Sequence, residues 1–256
     1  MQLPPITREL PAANRPFSRS IRSPGSPASY AAFRLFHGEE PPTLSIKDQV
    51  AVAVAERIID GRFGPSERIP EQLLADEFNV SKAPVSEALM LLEHAGLVES
   101  AARRSAYVPR MNRQDFDDLS EHRSALIRVA LGRFFDRHGP ADRSMLEAYH
   151  AEMEAMAAND ARAFDFVEVF DRATLYAVAR GNNQRVTRAL FALSLQVLRY
   201  YRLGIQTLKQ RRAMLASLKQ GVMARDANDK KKYLAICDEI HRMRYDETVA
   251  ALKAAA

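Results

Sequence analysis

Residues 79–92 read NVSKAPVSEALMLL, and this stretch decides the fold. Its first three residues have the composition of a tight turn, and Ser81 is a favoured N-cap for the helix that follows. Pro84 falls in the first turn of that helix, where proline is tolerated. Apolar residues then recur on one face, and the predicted buried stripe is Val85, Leu89, Leu91 and Leu92. The stretch therefore predicts a turn followed by a helix with one buried side.

Further elements are predicted on both sides of this turn. A short helix follows Pro70, and a longer helix runs from Ser45 to about Ile59. After the central helix, residues 97–100 and 106–108 read as two short strands joined by AARRS. This order of elements is that of a winged helix-turn-helix. An ordinary helical subdomain with an exposed basic hairpin is the alternative interpretation.

The whole chain divides into three predicted segments. Residues 1–42 hold eight of the thirteen prolines, which predicts a flexible tail rather than a targeting peptide. The predicted winged helix-turn-helix occupies residues 43–112. Residues 113–256 show apolar residues at helical spacing almost to the end, which predicts an all-helical bundle. The expected fold class is mainly α, with a small β-hairpin wing.

Composition excludes several classes of protein. The chain has 256 residues, is 47% hydrophobic and 27% charged, and can therefore build a substantial core. One cysteine, Cys237, excludes a disulfide framework, and the absence of a long apolar run argues against a membrane-spanning helix. These features predict a soluble, cytoplasmic protein. The net charge is +5, but residues 43–112 carry eight basic and ten acidic groups, so a nucleic-acid function must depend on individually placed residues.

Three motifs carry a resemblance to a known family. Residues 58–69 read IIDGRFGPSERI, residues 72–89 read QLLADEFNVSKAPVSEAL, and residues 92–98 read LEHAGLV. In this order they closely resemble the DNA-binding domain of the GntR family of bacterial transcription regulators. The helical remainder resembles the FCD effector domain that is shared with the fatty-acid-responsive regulators of that family. The resemblance implies a homodimer that binds a palindromic operator on double-stranded DNA.

The predicted DNA-binding residues lie at the start of the recognition helix and at the wing. A helix-turn-helix places the first residues of its second helix in the major groove, where side chains contact bases and phosphates. The candidates are Ser81, Lys82, Ala83, Ser86, Arg103, Arg104 and Ser105. Relatives commonly show SRTPVREA where this chain has SKAPVSEA, so lysine and serine replace two arginines. We therefore expect weaker DNA binding or an altered operator.

The candidate effector-binding residues are Arg123 and Asp171. Many FCD relatives hold a divalent metal with one aspartate and three histidines, the first histidine four residues after the aspartate. Here Leu175 stands at that place, and no histidine lies between His150 and His241. The sequence therefore predicts no metal and no other cofactor. Arg123 can grip a carboxylate ligand with two hydrogen bonds, and an interhelix salt bridge is the alternative role for this arginine. A less polar ligand is the other possibility for the effector.

The predicted function is a transcription regulator, in particular a repressor controlled by a small metabolite. The alternative is a protein-interaction or dimerisation module whose winged helix no longer recognises specific DNA. The replacements at Lys82 and Ser86 and the acidic balance of residues 43–112 favour this alternative modestly. An enzyme is not expected, because no paired acid and base residues, phosphate-binding glycine loop or metal cluster is visible in the sequence.

Overall fold

A computed structural model describes residues 45–101, 105–158, 163–205 and 207–255. The predicted tail at residues 1–42 lies outside these ranges. The elements in chain order are α1 Ile46–Ile59, β1 Arg68–Ile69, α2 Glu71–Phe78, α3 Lys82–His94, β2 Glu99–Ala101, β3 Ser105–Tyr107, α4 Arg113–Phe135, α5 Pro140–Ala158, α6 Ala163–Arg180, α7 Gln184–Gly204, α8 Leu208–Asp226 and α9 Lys230–Ala255. The described residues thus form a mainly α fold with a small sheet, and the predicted fold class is confirmed.

The turn between α2 and α3 depends on a left-handed residue. Asn79 ends α2 with φ 52° and ψ 50°, a conformation that asparagine tolerates better than most side chains. The amide of Val80 then donates to the carbonyl of Ala75 over 3.0 Å. This tight closure turns the chain sharply, so α3 begins two residues after Val80, at Lys82, with Ser81 in the N-cap position. Val85, Ala88, Leu89 and Leu92 are the buried residues of α3.

The predicted hairpin is present, but its strands are placed differently. The structure has β2 over residues 99–101 and β3 over residues 105–107, so Leu97 and Val98 precede the first strand as buried residues. The sheet has three strands in the order β1-β3-β2, all antiparallel. The two-residue β1 was missed because its pairing partner lies almost 40 residues away and two residues show no alternation. This sheet joins the wing to the segment that follows α1.

The helical part, residues 113–255, packs α4, α6, α7, α8 and α9 around a shared interior. One cluster of buried apolar side chains continues from the winged part into the helical part without a break. At the junction the Phe116 ring lies 5.0 Å from the Tyr200 ring and stacks on Tyr245 at 5.4 Å. Aromatic burial of this kind contributes much of the packing free energy. Within the described ranges no helix is both long enough and apolar enough to cross a membrane.

Candidate functional site

The start of α3 is presented to solvent. Ser81, Lys82 and Ala83 are all exposed, and within the described residues the Ser81 hydroxyl makes no capping hydrogen bond to the helix. The first backbone amides of a helix have no intrahelical partner, so they are available to an anion such as a phosphate. Lys82 adds a positive charge at the same end. This arrangement suits contact with a nucleic-acid backbone.

Ser86 has a different environment from Ser81, Lys82 and Ala83. It lies one turn after Lys82, is half-buried, and its Oγ donates to Oε2 of Glu71 over 2.7 Å. Glu71 is the first residue of α2, so this hydrogen bond joins the two helices of the helix-turn-helix. The hydroxyl proton of Ser86 is therefore engaged with Glu71 and is not available to another acceptor. Sequence reasoning named Ser86 but missed Glu71.

The helix-turn-helix is locally acidic. Residues 71–94 contain five acidic side chains and one lysine, Lys82. Two of these acids are paired with cations of α1: Arg57 binds Glu77 with two hydrogen bonds, and Lys47 lies 3.8 Å from Glu87. Both pairs are partly exposed and contribute little to stability. Their importance lies in reducing the negative charge beside the recognition helix.

The wing is described only in part. Ser105 begins β3 and pairs with Ala101 of β2, so it lies at the end of the hairpin as expected. Arg103 and Arg104 lie outside the described residues, and their DNA-binding role stays a prediction. The candidates for DNA contact therefore stay Ser81, Lys82, Ala83, Ser86, Arg103, Arg104 and Ser105.

A second candidate site is a cavity inside the helical part. Its volume is about 130 Å³, and its walls come from α4, α5, α6, α8 and α9. Most of the wall is apolar, including Leu131, Met153 and Phe170, while Arg123, Arg244 and Arg225 contribute positive charge. Concave, mostly apolar cavities with a few polar groups are typical of small-molecule sites.

Asp171 lies behind one end of this cavity, between two arginines. Its Oδ1 accepts from Arg123 over 3.0 Å, and both oxygens accept from Arg244, over 3.1 and 2.9 Å. The three side chains are at most 3% exposed. The Arg244 guanidinium also lies 3.7 Å from the centre of the Tyr201 ring. Arg123 therefore lines the cavity and is held in place by Asp171, which is itself covered by the guanidinium groups.

The cavity carries more positive than negative charge. Arg225 is only 2% exposed and reaches Asp226 through Nε at 3.0 Å. The Nε of Arg244 has no hydrogen-bond partner among the described residues. His241, also in the wall, has its pKa lowered to about 4, first by burial and then by the charges of Arg123 and Arg244. Sequence reasoning missed Arg244 and Arg225, because nothing local marks an arginine as buried.

We expect His241 to make stability depend on pH. Its folded pKa of about 4 lies below the ordinary value of 6.5, so the unfolded chain binds a proton that the fold disfavours. The free energy of unfolding should therefore fall as pH decreases from 6.5 towards 4, with a contribution of at most about 3 kcal/mol from this group. H241Q should lose less stability than the unmodified protein between pH 7 and 4.5 in urea denaturation. H122Q, at an exposed position of α4, should behave like the unmodified protein; equal losses for H241Q would contradict the assignment.

Helix α7 contacts two arginines of the cavity and also the winged part of the molecule. On one side, Ser194 lies 3.5 Å from Nε of Arg123, and Tyr201 packs on Arg244. On the other side, Gln196 donates to the carbonyl of Ala95 over 2.9 Å, and Arg199 donates to the carbonyl of Pro109 over 2.6 Å. A single rigid helix thus joins the cavity's arginines to the winged part of the molecule.

The same helix also holds the segment between the two parts. The Tyr200 hydroxyl donates to Asp115 over 2.5 Å and accepts from the amide of Asn112 over 3.3 Å. Burial and the nearby Asp115 carboxylate raise the pKa of Tyr200, so its proton stays in place at neutral pH. Any shift of α7 must therefore break or move these bonds.

Comparison with known proteins agrees with this architecture. Residues 46–108 match the family model described as bacterial regulatory proteins, gntR family. The chain is 33% identical over 97 residues to an uncharacterized HTH-type transcriptional regulator, YdhC, of Bacillus subtilis (strain 168), covering 38% of this chain and 43% of that protein. It is 32% identical over 76 residues, 30% of each chain, to the uncharacterized HTH-type regulator Rv0043c of Mycobacterium tuberculosis. The chain thus matches less than half the length of these relatives.

Solved structures extend the likeness to the helical part. E. coli McbR/YncC superposes with a TM-score of 0.72 at 19% identity, over 81% of this chain and 99% of that one. A GntR transcriptional regulator from Rhodococcus sp. RHA1 superposes with a TM-score of 0.67 at 17% identity, over the same shares. At these identities the likeness establishes the fold alone.

The fold and the exposed recognition helix define a protein of the winged helix-turn-helix class. The matched motifs are more specific than the class. Residues 46–108 match the GntR family, which confirms the resemblance seen in the sequence of the DNA-binding part.

Proposed function

We propose that this protein is a transcription regulator that binds a palindromic operator as a homodimer and represses until a small metabolite binds. The observation that carries the proposal is the exposed start of α3, where Lys82 and uncapped amides face solvent at the end of a well-packed helix. A dimer would place two such helices about 34 Å apart, one turn of DNA, which matches an operator with two-fold symmetry. The match of residues 46–108 to the GntR family supports DNA as the partner.

The cavity supports a ligand of defined chemistry. Its wall is mostly apolar and carries buried arginines, and Arg123 and Arg244 share the single carboxylate of Asp171. The positive charge buried at the cavity exceeds the negative charge and therefore favours a ligand with an anionic group. An arginine binds a carboxylate with two hydrogen bonds. We infer that the effector is a small carboxylate with an apolar body, held by this chain's own arginines.

Control of DNA binding follows from the position of α7. A ligand changes DNA affinity only if it binds one arrangement of the two parts better than another. An anion near Arg123 and Arg244 competes with Asp171 for their hydrogen bonds and moves the guanidinium that packs on Tyr201. Tyr201 lies on α7. Two other residues of this helix, Gln196 and Arg199, donate hydrogen bonds to the carbonyls of Ala95 and Pro109. The two sites are therefore coupled through one helix.

Y200F should weaken this coupling. The substitution removes the hydrogen bonds to Asp115 and to the amide of Asn112, which hold to α7 the segment that joins the two parts, a loss of about 1–2 kcal/mol. We expect operator binding to persist while the change in operator affinity caused by the metabolite shrinks roughly tenfold, measured by fluorescence anisotropy with and without it. Y245F is the matched control, because the Tyr245 hydroxyl bonds Asp117 and Arg113 within the helical part. An equal loss of response in both variants would contradict a specific role of Tyr200.

The proposed function is tested by titrating the protein against DNA fragments from upstream of its own and neighbouring genes at moderate salt. We expect one palindromic fragment to bind well above random DNA, and a small carboxylate to release it. Binding of every fragment at the level of random DNA would reject the proposal.

The protein-interaction module remains a second candidate, favoured by the acidic helix-turn-helix. Residues 71–94 carry a net negative charge, which opposes DNA. Replacing Lys82, Arg103 and Arg104 together with alanine separates the two functions. Only a DNA-binding protein should lose operator binding while it keeps its oligomeric state in size-exclusion chromatography.

A further inference from the structure

We propose that Glu71 and Ser86 together set the base preference of the recognition helix by presenting hydrogen-bond acceptors to the major groove. The inference rests on the proposed DNA-binding function and names a specificity device within it. Its structural basis is the 2.7 Å hydrogen bond from Ser86 Oγ to Glu71 Oε2. This bond fixes both side chains at the junction of α2 and α3.

The bond determines which hydrogen-bonding groups remain available. A serine hydroxyl has one proton and two lone pairs, and an ionised carboxylate has only lone pairs. Because the Ser86 proton is donated to Glu71, the serine oxygen is left as an acceptor. Glu71 contributes the lone pairs of its carboxylate. The pair therefore presents acceptors to whatever approaches it.

Its position favours contact with a base. Ser86 lies four residues after Lys82, at the boundary between the side of α3 that buries Val85 and Leu89 and the side that is exposed. Ser86 and Glu71 are each half-buried, which leaves part of each side chain open to solvent. The first turns of α3 are the part of a helix-turn-helix that enters the major groove. The pair thus lies next to the groove-facing residues.

Acceptors select bases with amino groups. In the major groove cytosine offers its N4 amino group, adenine offers N6 beside the acceptor N7, and guanine offers only the acceptors O6 and N7. A surface made of acceptors is attracted to the cytosine amino group and repelled by the guanine edge. Adenine is intermediate, because its N7 also faces the lone pairs. We therefore expect cytosine to be preferred, and guanine disfavoured, at one position in each half-site.

A purely structural role gives a different expectation. If the bond served only to join α2 to α3, removing it would lower stability and weaken binding to all sequences equally. Base preference at a single position would then be unchanged. The two roles are separated by sequence preference rather than by affinity.

The experiment selects bound duplexes from a pool with a randomised central segment, using the full-length protein, and reads the enriched sequences. For the unmodified protein we expect one half-site position at which cytosine exceeds guanine by about tenfold. E71Q places an amide next to Ser86 and so supplies a donor. In E71Q the ratio of cytosine to guanine at that position should fall close to one. The base preferences at the other positions should stay unchanged.

Two further variants complete the test. E77Q removes the same charge from the same helix, but Glu77 pairs with Arg57, so its selected motif should match that of the unmodified protein. S86T keeps a hydroxyl and should keep the preference even if E71Q is poorly stable. An unchanged motif in E71Q, or a lost preference in S86T with intact folding, overturns the inference while leaving DNA binding established. Failure of the unmodified protein to enrich any motif would instead reject the proposed function.

Discussion

D171A should lower the free energy of unfolding by about 3–5 kcal/mol, the largest loss we expect from a single substitution in the helical part. The carboxylate of Asp171 is the charge partner of Arg123 and Arg244, and all three groups are almost fully excluded from water. Without it, two guanidinium groups remain buried beside each other. Urea denaturation followed by circular dichroism measures the effect.

The matched control is D238A. Asp238 also pairs with an arginine, Arg128, but both side chains are more than half exposed. Exposed ion pairs contribute about 1 kcal/mol or less, so this variant should be nearly as stable as the unmodified protein. Equal losses in D171A and D238A would mean that the buried carboxylate is not needed to balance the arginines.

The triple replacement R123M/D171L/R244M distinguishes stability from ligand binding. Replacing a complete buried ion cluster by apolar side chains of similar volume is often neutral or stabilising. We expect this variant to fold with close to the original stability and to lose the response to the metabolite. The buried charges would then be retained for binding rather than for folding.

K82A should weaken operator binding by about 1 kcal/mol at each half-site, or about thirtyfold for the proposed dimer. Lys82 is the one lysine or arginine between positions 71 and 94, and it lies at the exposed start of α3. Loss of one phosphate contact per half-site should also make the dependence of log K on log salt shallower by roughly 1.8. Titrations at several salt concentrations measure both quantities.

K231A is the control for this experiment, because Lys231 is an exposed lysine at the start of α9 in the helical part. Like K82A, this substitution removes one positive charge, but at a position far along the chain from the recognition helix. Both its affinity and its salt dependence should match those of the unmodified protein. An unaltered salt dependence in K82A would show that Lys82 contacts no phosphate.

The sequence was sufficient for the fold class and for the exposed face of the recognition helix. The apolar spacing of residues 85–92 predicts which side of α3 is buried, and the turn before Ser81 predicts where that helix starts. These are local signals, carried by residues a few positions apart. The strand positions were less accurate, because pairing in a sheet of two- and three-residue strands depends on partners distant in sequence.

The interior of the helical part was harder to predict for the same reason. Arg123 and Asp171 were identified by resemblance, but Arg244 lies 73 residues after Asp171 and has no local mark of burial. Glu71 was missed because its role appears only when α2 and α3 are folded together and Ser86 reaches it. Charge pairing across helices is a property of the tertiary packing.

The contacts between α7 and the winged part bear on how such regulators diverge over generations. Arg202, Gln196 and Arg199 donate to the carbonyls of Asp60, Ala95 and Pro109. Every amino acid supplies a carbonyl, so mutations can replace side chains on the winged part without removing an acceptor that α7 uses. Two of these carbonyls belong to the residues before Gly61 and Gly96, whose φ angles are +81° and +72°. Side chains rarely adopt such angles, and an added Cβ would collide with Arg202 or Gln196, so these two glycines cannot be replaced as freely. Under the proposed function, lineages descended from a common ancestor could therefore acquire new operators while inheriting the same ligand response.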